Sequence, residues 1–161
     1  MAVEYEYSFK VKEIKPFVDY CVSNEFEFVS KNTQTRILYR NVNKTLARLT
    51  TKNDNGVEST VLDFKDDNLD TEVLSVSRET IPLEVTDGNR DAIDSMLDFL
   101  DYKKDKVLDR TRVVYKKNDV VFEIDEYTSP EVMCVVAVEG DKEQVDKVYS
   151  EIENIGEKIN D

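Results

Sequence analysis

The chain of 161 residues has the length of one domain and carries 35 acidic against 22 basic side chains, a net charge of -13. That charge excludes a general binder of duplex nucleic acid or of an anionic membrane, because the average field repels phosphate, although a local basic pocket stays compatible with it. The sequence has no histidine, which removes imidazole bases, serine and cysteine triads and imidazole-bound zinc and leaves carboxylates, Lys, Arg, Tyr and oxygen-bound hard metal ions.

Residues 3–11 alternate strictly. Val3, Tyr5, Tyr7, Phe9 and Val11 form one face, and Glu4, Glu6, Ser8 and Lys10 form the other. Period two predicts a strand. Ile14, Phe17, Val18, Cys21 and Val22 then recur at helical spacing, with Pro16 suited to a first turn. Two strands follow, Gln34 to Tyr39 and Thr45 to Thr51, joined near Asn41–Asn43. The run from Lys52 to Gly56 reads as a turn between strands. Ser59 to Lys65 reads as a strand with Val61, Asp63 and Lys65 on one face. A polar break covers Asp66 to Asp70, and residues 72–85 read as one more strand, bent before Pro82.

The period then changes. Ala92, Ile93, Met96, Leu97 and Leu100 mark a helix entered through Thr86, Asp87 and Asn89. Strands resume at Val107–Tyr115, Val120–Asp125 and Val132–Glu139, the first two joined by a turn at Lys117–Asp119. A closing helix from about Asp141 carries Val145, Val148, Tyr149 and Ile152 on one face. A second subunit is one surface that this face would suit, so a homodimer is compatible with the pattern. Cys21 and Cys134 lie among apolar neighbours and read as two buried free thiols, since a disulfide framework in so small a domain uses more cysteines. No apolar run reaches membrane-spanning length and no signal-peptide core precedes the first strand, which points to a cytoplasmic protein that binds no membrane. Residues 1–161 read as a single α+β domain.

Strand after strand pairs an apolar face with a charged one. Arg110 and Arg112 share a face, as do Glu123 and Asp125. Two arrangements fit. In one, the charged faces are the solvated side of an open sheet. In the other, the strands close into a barrel and the charged faces line its interior. Inside a barrel, Arg and Lys would bind phosphate oxygens and carboxylates would hold Mg²⁺ or Mn²⁺.

The order of these residues carries a resemblance. The strand from Val3 to Lys10, with Glu4 and Glu6, is similar to the Glu-x-Glu-x-Lys opening of the CYTH superfamily, the triphosphate tunnel metalloenzymes. In the same order, Leu46-Ala47-Arg48 resembles the Leu-Arg-x-Arg strand, and Leu62 to Lys65 resembles the strand whose lysine binds substrate. Arg78-Glu79 resembles the Arg-Glu strand, Arg110 to Tyr115 resembles Lys-x-Arg-x-x-Tyr, and Phe122 to Asp125 resembles the hairpin strand ending in Asp. Val136 to Gly140 resembles the final Glu-x-Glu-Gly strand. The resemblance spans nearly the whole chain. It implies a closed or nearly closed antiparallel β-barrel with flanking helices, and a divalent-metal-dependent enzyme acting on a triphosphate-bearing small molecule. The family includes class IV adenylyl cyclases and thiamine, inorganic and RNA triphosphatases.

By the same resemblance Glu4, Glu6, Glu123, Asp125 and Glu139 are metal ligands. Lys10, Arg36, Arg48, Lys65, Arg78, Arg110 and Arg112 bind substrate, with Lys65, Arg78 and Arg112 acting in catalysis. Three positions depart from the pattern. Ser8 stands where the signature lysine would be, Thr50 replaces an arginine and Ala137 replaces a glutamate. These losses keep a second reading open, a nucleotide- or phosphate-binding module that retains the pocket with weak or no turnover. A third is a structural barrel whose charges are only a soluble surface.

Overall fold

The computed structural model describes residues 2–43, 45–66 and 74–156. Among them are nine strands: β1 (Ala2–Val11), β2 (Glu27–Arg40), β3 (Thr45–Asp54), β4 (Val57–Asp66), β5 (Leu74–Glu79), β6 (Leu83–Val85), β7 (Lys103–Lys117), β8 (Val120–Ser129) and β9 (Met133–Gly140). The helices are α1 (Lys15–Ser23), α2 (Arg90–Phe99) and α3 (Lys142–Ile152). Every strand pair is antiparallel. The order β3-β2-β7-β8-β9-β1-β5-β4 closes on itself through β4 and β3, and β6 adds to β4 as an extra strand. The fold is therefore the α+β closed barrel with flanking helices that the resemblance implied.

Closure divides each alternating strand between two environments. The apolar faces point outward and are covered by helices. Phe9 and Val11 of β1, Phe122 and Ile124 of β8 and Val136 and Val138 of β9 pack with Phe17 and Cys21 of α1 and with Val145 and Ile152 of α3. Tyr7 stacks on Tyr149 at 4.0 Å between ring centroids. The apolar face of α3 is thus spent inside its own chain. On the other flank, Ile93 and Leu97 of α2 cover Ala47 and Leu49 of β3 and Leu62 of β4. Burying these side chains stabilises the wall from outside, at about 1.5–3 kcal/mol for each large one. The inward faces are left free to be polar.

Boundaries depart from the alternation where pairing, not hydrophobicity, sets them. β2 begins at Glu27, not Gln34, because Glu27 to Thr33 pair with β7. A register shift between Phe28 and Ser30 breaks the period there. β7 begins at Lys103, not Val107, because its charged start pairs with Leu38 to Arg40. The strand expected over 72–85 is two, β5 on β1 and β6 on β4, with Pro82 between them. The polar break at Asp66–Asp70 falls, beyond Asp66, outside the described residues. Asn55 and Gly56, both at positive φ, make the two-residue β3–β4 turn. Asn89 is the first flanking residue of α2, but its side-chain oxygen accepts from the Thr86 N–H and does not cap the helix. Asp141 does cap α3, accepting from the Gln144 N–H at 3.3 Å.

Gly140 ends β9 between β1 and β8, pairing with Tyr5 and Val120. Its φ is 139°, and a Cβ there would lie 1.8 Å from the Asp119 carbonyl oxygen. Gly140→Ala is expected to lower the unfolding free energy by about 3 kcal/mol in urea titration.

The two thiols differ. Cys21 is fully buried, whereas Cys134 is only half-buried, which corrects the expectation for the second. Burial pushes the Cys21 thiol up to about 12. Burial and the nearby Glu126 carboxylate also raise Cys134. A raised thiol pKa means less thiolate at a given pH. At pH 8 a maleimide is expected to label Cys134 in the folded protein and Cys21 only after denaturation, read by peptide mass spectrometry.

Candidate functional site

The inward faces of the strands enclose a cavity of about 230 Å³. Five cations line it: Arg36 of β2, Arg48 of β3, Lys65 of β4, and Arg110 and Arg112 of β7. Five carboxylates line it too: Glu6 of β1, Glu79 of β5, Glu123 and Asp125 of β8, and Glu139 of β9. Equal numbers do not mean an even mixture. The cations come from four consecutive strands of the ring, β4-β3-β2-β7, and the carboxylates from the other four, β8-β9-β1-β5. The lumen has a basic half and an acidic half.

At the seams the halves meet in ion pairs. Arg112 donates to both Asp125 oxygens, from Nε at 2.8 Å and from Nη2 at 2.9 Å, and its Nη1 donates to Glu123. These carboxylates outweigh burial and raise the pKa of the Arg112 guanidinium. Arg110 is held by Gln34 Oε1 at 2.8 and 3.0 Å and by the Tyr127 hydroxyl at 2.9 Å. Its Nη1 lies 3.7 Å from Asp125. At the other seam Arg48 donates to Glu79 at 3.0 Å and Lys65 approaches it at 3.5 Å, while Arg48 is also clamped within the basic half by Asp63 of β4.

Arg36 is the exception. Its Nε donates to Thr50 Oγ1 at 2.9 Å. Among the described residues it forms no ion pair, and its terminal nitrogens make no hydrogen bond. Burial, then the charges of Arg110, Arg48 and Arg112, bring its pKa down to about 9. A guanidinium held among three others, with its terminal N–H groups unused, has the charge and the donors that an anion would engage.

The acidic half is strained in the opposite sense. Oxygens of Glu6, Glu123 and Glu139 lie within 4.8 Å of one another. Burial, then the carboxylates of Glu123, Glu4, Glu6 and Glu79, push Glu139 up to about 9. Burial and the hydrogen bond and charge of Glu79 push Glu4 up to about 7. Such a cluster needs protons or a cation. Three carboxylates converging with no nitrogen or sulfur donor fit a hard divalent ion such as Mg²⁺ or Mn²⁺.

Of the residues expected to form the site, Glu6, Glu123, Asp125, Glu139, Arg36, Arg48, Lys65, Arg110 and Arg112 line this cavity. Glu4 lies beside it, on Glu79. Lys10 stands opposite Val135, a lining residue, without lining the cavity itself. Asp125 is engaged by two arginines, so it orients cations more directly than it offers itself to a metal. Arg78 is placed elsewhere. Its side chain is 58% exposed and its Nε donates to Asp66 at 2.7 Å. The period of β5 puts Arg78 on the outer face and Glu79 on the inner one. Glu79, Asp63, Gln34 and Tyr127 were missed. Asp63 shares the face of Lys65 and was within reach of the alternation. Glu79 becomes a site residue only through its register opposite Lys65.

No protein-family profile and no curated protein matches the sequence. Solved structures do match the fold. PH1012 of Pyrococcus horikoshii superposes with a TM-score of 0.72 at 20% identity, over 94% of this chain and 93% of that one. A chain of the Schizosaccharomyces pombe Mediator head module gives 0.67 at 10% identity, over 98% and 100%. The Hippeastrum adenylyl-cyclase-like protein HpAC1, described as revealing a dominant triphosphatase activity, gives 0.66 at 12% identity, over 92% and 85%. The chain has a CYTH-like, triphosphate-tunnel fold. Proteins of unlike roles share it, so the site and not the fold decides function. Among the described residues no helix is long and apolar enough to cross a membrane.

Arg36 gives a direct test of the lumen's electrostatics. Arg36→Met removes a cation that its neighbours repel. It is expected to raise the melting temperature of the ligand-free protein while weakening inorganic triphosphate about tenfold or more in calorimetry.

Proposed function

We propose that the protein is a divalent-metal-dependent enzyme that acts on a triphosphate. The observation that carries this reading is the segregated lumen. One enclosed cavity sets Arg36, without a carboxylate partner among the described residues, within a basic wall and faces it with a carboxylate trio. A polyphosphate satisfies the first and a divalent cation the second. The fold likeness to a Hippeastrum protein with triphosphatase activity supports the same class of chemistry.

In this mechanism Arg36, Arg110 and Lys65 bind the phosphate oxygens. Arg36 makes no ion pair among the described residues, and Arg110 and Lys65 approach carboxylates only at 3.7 and 3.5 Å, so these three can turn to substrate without breaking a close pair. Arg112 and Arg48 stay clamped to their carboxylates and supply fixed positive charge, which offsets negative charge developing on the transferred group. Glu6, Glu123 and Glu139 would hold Mg²⁺ or Mn²⁺, which when bound lowers the pKa of the attacking hydroxyl and shields the phosphates. If water attacks the terminal phosphorus, the bond to the bridging oxygen breaks, the diphosphate leaves on that oxygen and the attacked phosphoryl group becomes orthophosphate. If a ribose 3′-hydroxyl attacks the α-phosphorus of ATP, the bond to the β-phosphate oxygen breaks and pyrophosphate leaves. Exposed Arg78 has no part in either path.

The neutral side chains of Ser8 and Ala137 within the acidic wall favour a second reading, a pocket that binds without turnover. A product assay with Mg²⁺ or Mn²⁺ separates the two. ATP, thiamine triphosphate and inorganic triphosphate are each incubated and the products resolved by chromatography. The enzyme reading expects orthophosphate or cyclic AMP from at least one, loss of product with a chelator, and a fall of about 100-fold with Glu139→Gln. Tight binding by calorimetry with no product from any of the three would establish the binding module instead.

A further inference from the structure

The acidic half of the lumen has a gap in its charge. On the inner face of β1 and β9 the cross-strand pairs run Glu6–Glu139, Ser8–Ala137 and Lys10–Val135. Ser8 and Ala137 are therefore directly opposed, and both line the cavity with Val135 beside them. On the next strand, Glu123 is the partner of Ala137. The neutral pair is bordered by all three members of the carboxylate trio. It also lies half-way around the ring from Arg36 and Thr50, which are themselves opposed on β2 and β3.

This position suits an uncharged group better than an anion in direct contact with the wall. A phosphate placed against Ser8 and Ala137 would sit next to Glu6, Glu123 and Glu139, and Arg112, which reaches Glu123, is already clamped to it and to Asp125, so phosphate would be held on this side only through a divalent ion on the trio. An inserted carbon skeleton meets no such repulsion. Ala137 and Val135 offer it apolar contact. The Ser8 hydroxyl has no hydrogen-bond partner among the described residues, so it is free to donate to or accept from a hydroxyl of the ligand. On the opposite wall Arg36 lines the cavity and its terminal nitrogens have no hydrogen-bond partner among the described residues, which is where the triphosphate reading puts phosphate.

We propose that the Ser8–Ala137 gap is the subsite for the organic group of the substrate, so that the protein takes triphosphate esters in preference to inorganic triphosphate. The proposal rests on the triphosphate reading above and narrows it. The polyphosphate lies along the basic wall of β2, β3, β4 and β7. The esterified end crosses the lumen and seats its carbon skeleton between β1 and β9.

Competition calorimetry with ATP, thiamine triphosphate and inorganic triphosphate tests it, on the intact chain and on Ala137→Leu and Ser8→Val, which fill the gap from either strand. The quantity read is the ratio of dissociation constants, ester over inorganic triphosphate. In the unaltered protein at least one ester is expected to bind more tightly than inorganic triphosphate. Each filling variant is expected to raise the ratio about tenfold. Thermal melts check folding, and the second variant decides if the first fails to fold. A ratio that moves in neither folded variant, or tighter binding of inorganic triphosphate than of both esters, overturns the subsite while leaving the triphosphate reading intact. Binding of none of the three overturns both.

Discussion

The structure depends on the pairing of charges inside a closed barrel. A guanidinium or carboxylate removed from water destabilises a fold strongly unless a partner is held at good geometry. Arg112 shows the solution. Its fork is shared between both oxygens of Asp125 and one of Glu123, across the seam where basic β7 meets acidic β8. Arg48, Asp63 and Glu79 make the corresponding clasp where β3 and β4 meet β5. Between the two seams the halves of the lumen are held apart by the width of the barrel, and the charges there are not matched.

That mismatch is what the proposed function rests on. A fold selected only for stability would have no reason to keep Arg36 among three other arginines or Glu139 among four carboxylates. Both arrangements raise the free energy of the ligand-free state, and both are relieved by ligands of opposite sign. The protein's stable apolar contacts lie elsewhere, between the outside of the wall and the three helices. The scaffold and the site are therefore separable. Helices α1 and α3 brace β1, β8 and β9, which carry the carboxylates, and α2 braces β3 and β4, which carry Arg48 and Lys65. Rigid strands, braced from behind, hold the two sets of charge in place.

The departures from the family pattern also gain a meaning from their positions. Ser8 and Ala137 look like two unrelated losses in the sequence. In the barrel they are one feature, since they are opposed across β1 and β9. A missing base and a missing acid at the same place leave the local charge balance unchanged and leave space. Thr50, the third departure, lies opposite Arg36 and accepts its Nε hydrogen bond. An arginine there would add a further cation to the most crowded part of the basic wall.

The sequence by itself determined which residues share a face. Period two along β1, β4, β7 and β8 separated Glu4 and Glu6 from Tyr7 and Phe9, and Arg110 and Arg112 from Val113, because side chains of a strand alternate regardless of what surrounds it. It could not say whether a charged face was the solvated side of a sheet or the inside of a barrel. Pairing of β3 with β4 and of β1 with both β5 and β9 decided that. Nor could it choose between Arg78 and Glu79, because neighbours on a strand always lie on opposite faces and only the register shows which one turns inward. Tertiary structure alone divided the lumen into a basic and an acidic half, since that division depends on which strands become neighbours when the ring closes. Local alternation is a property of the chain, whereas the field inside the tunnel is a property of its closure.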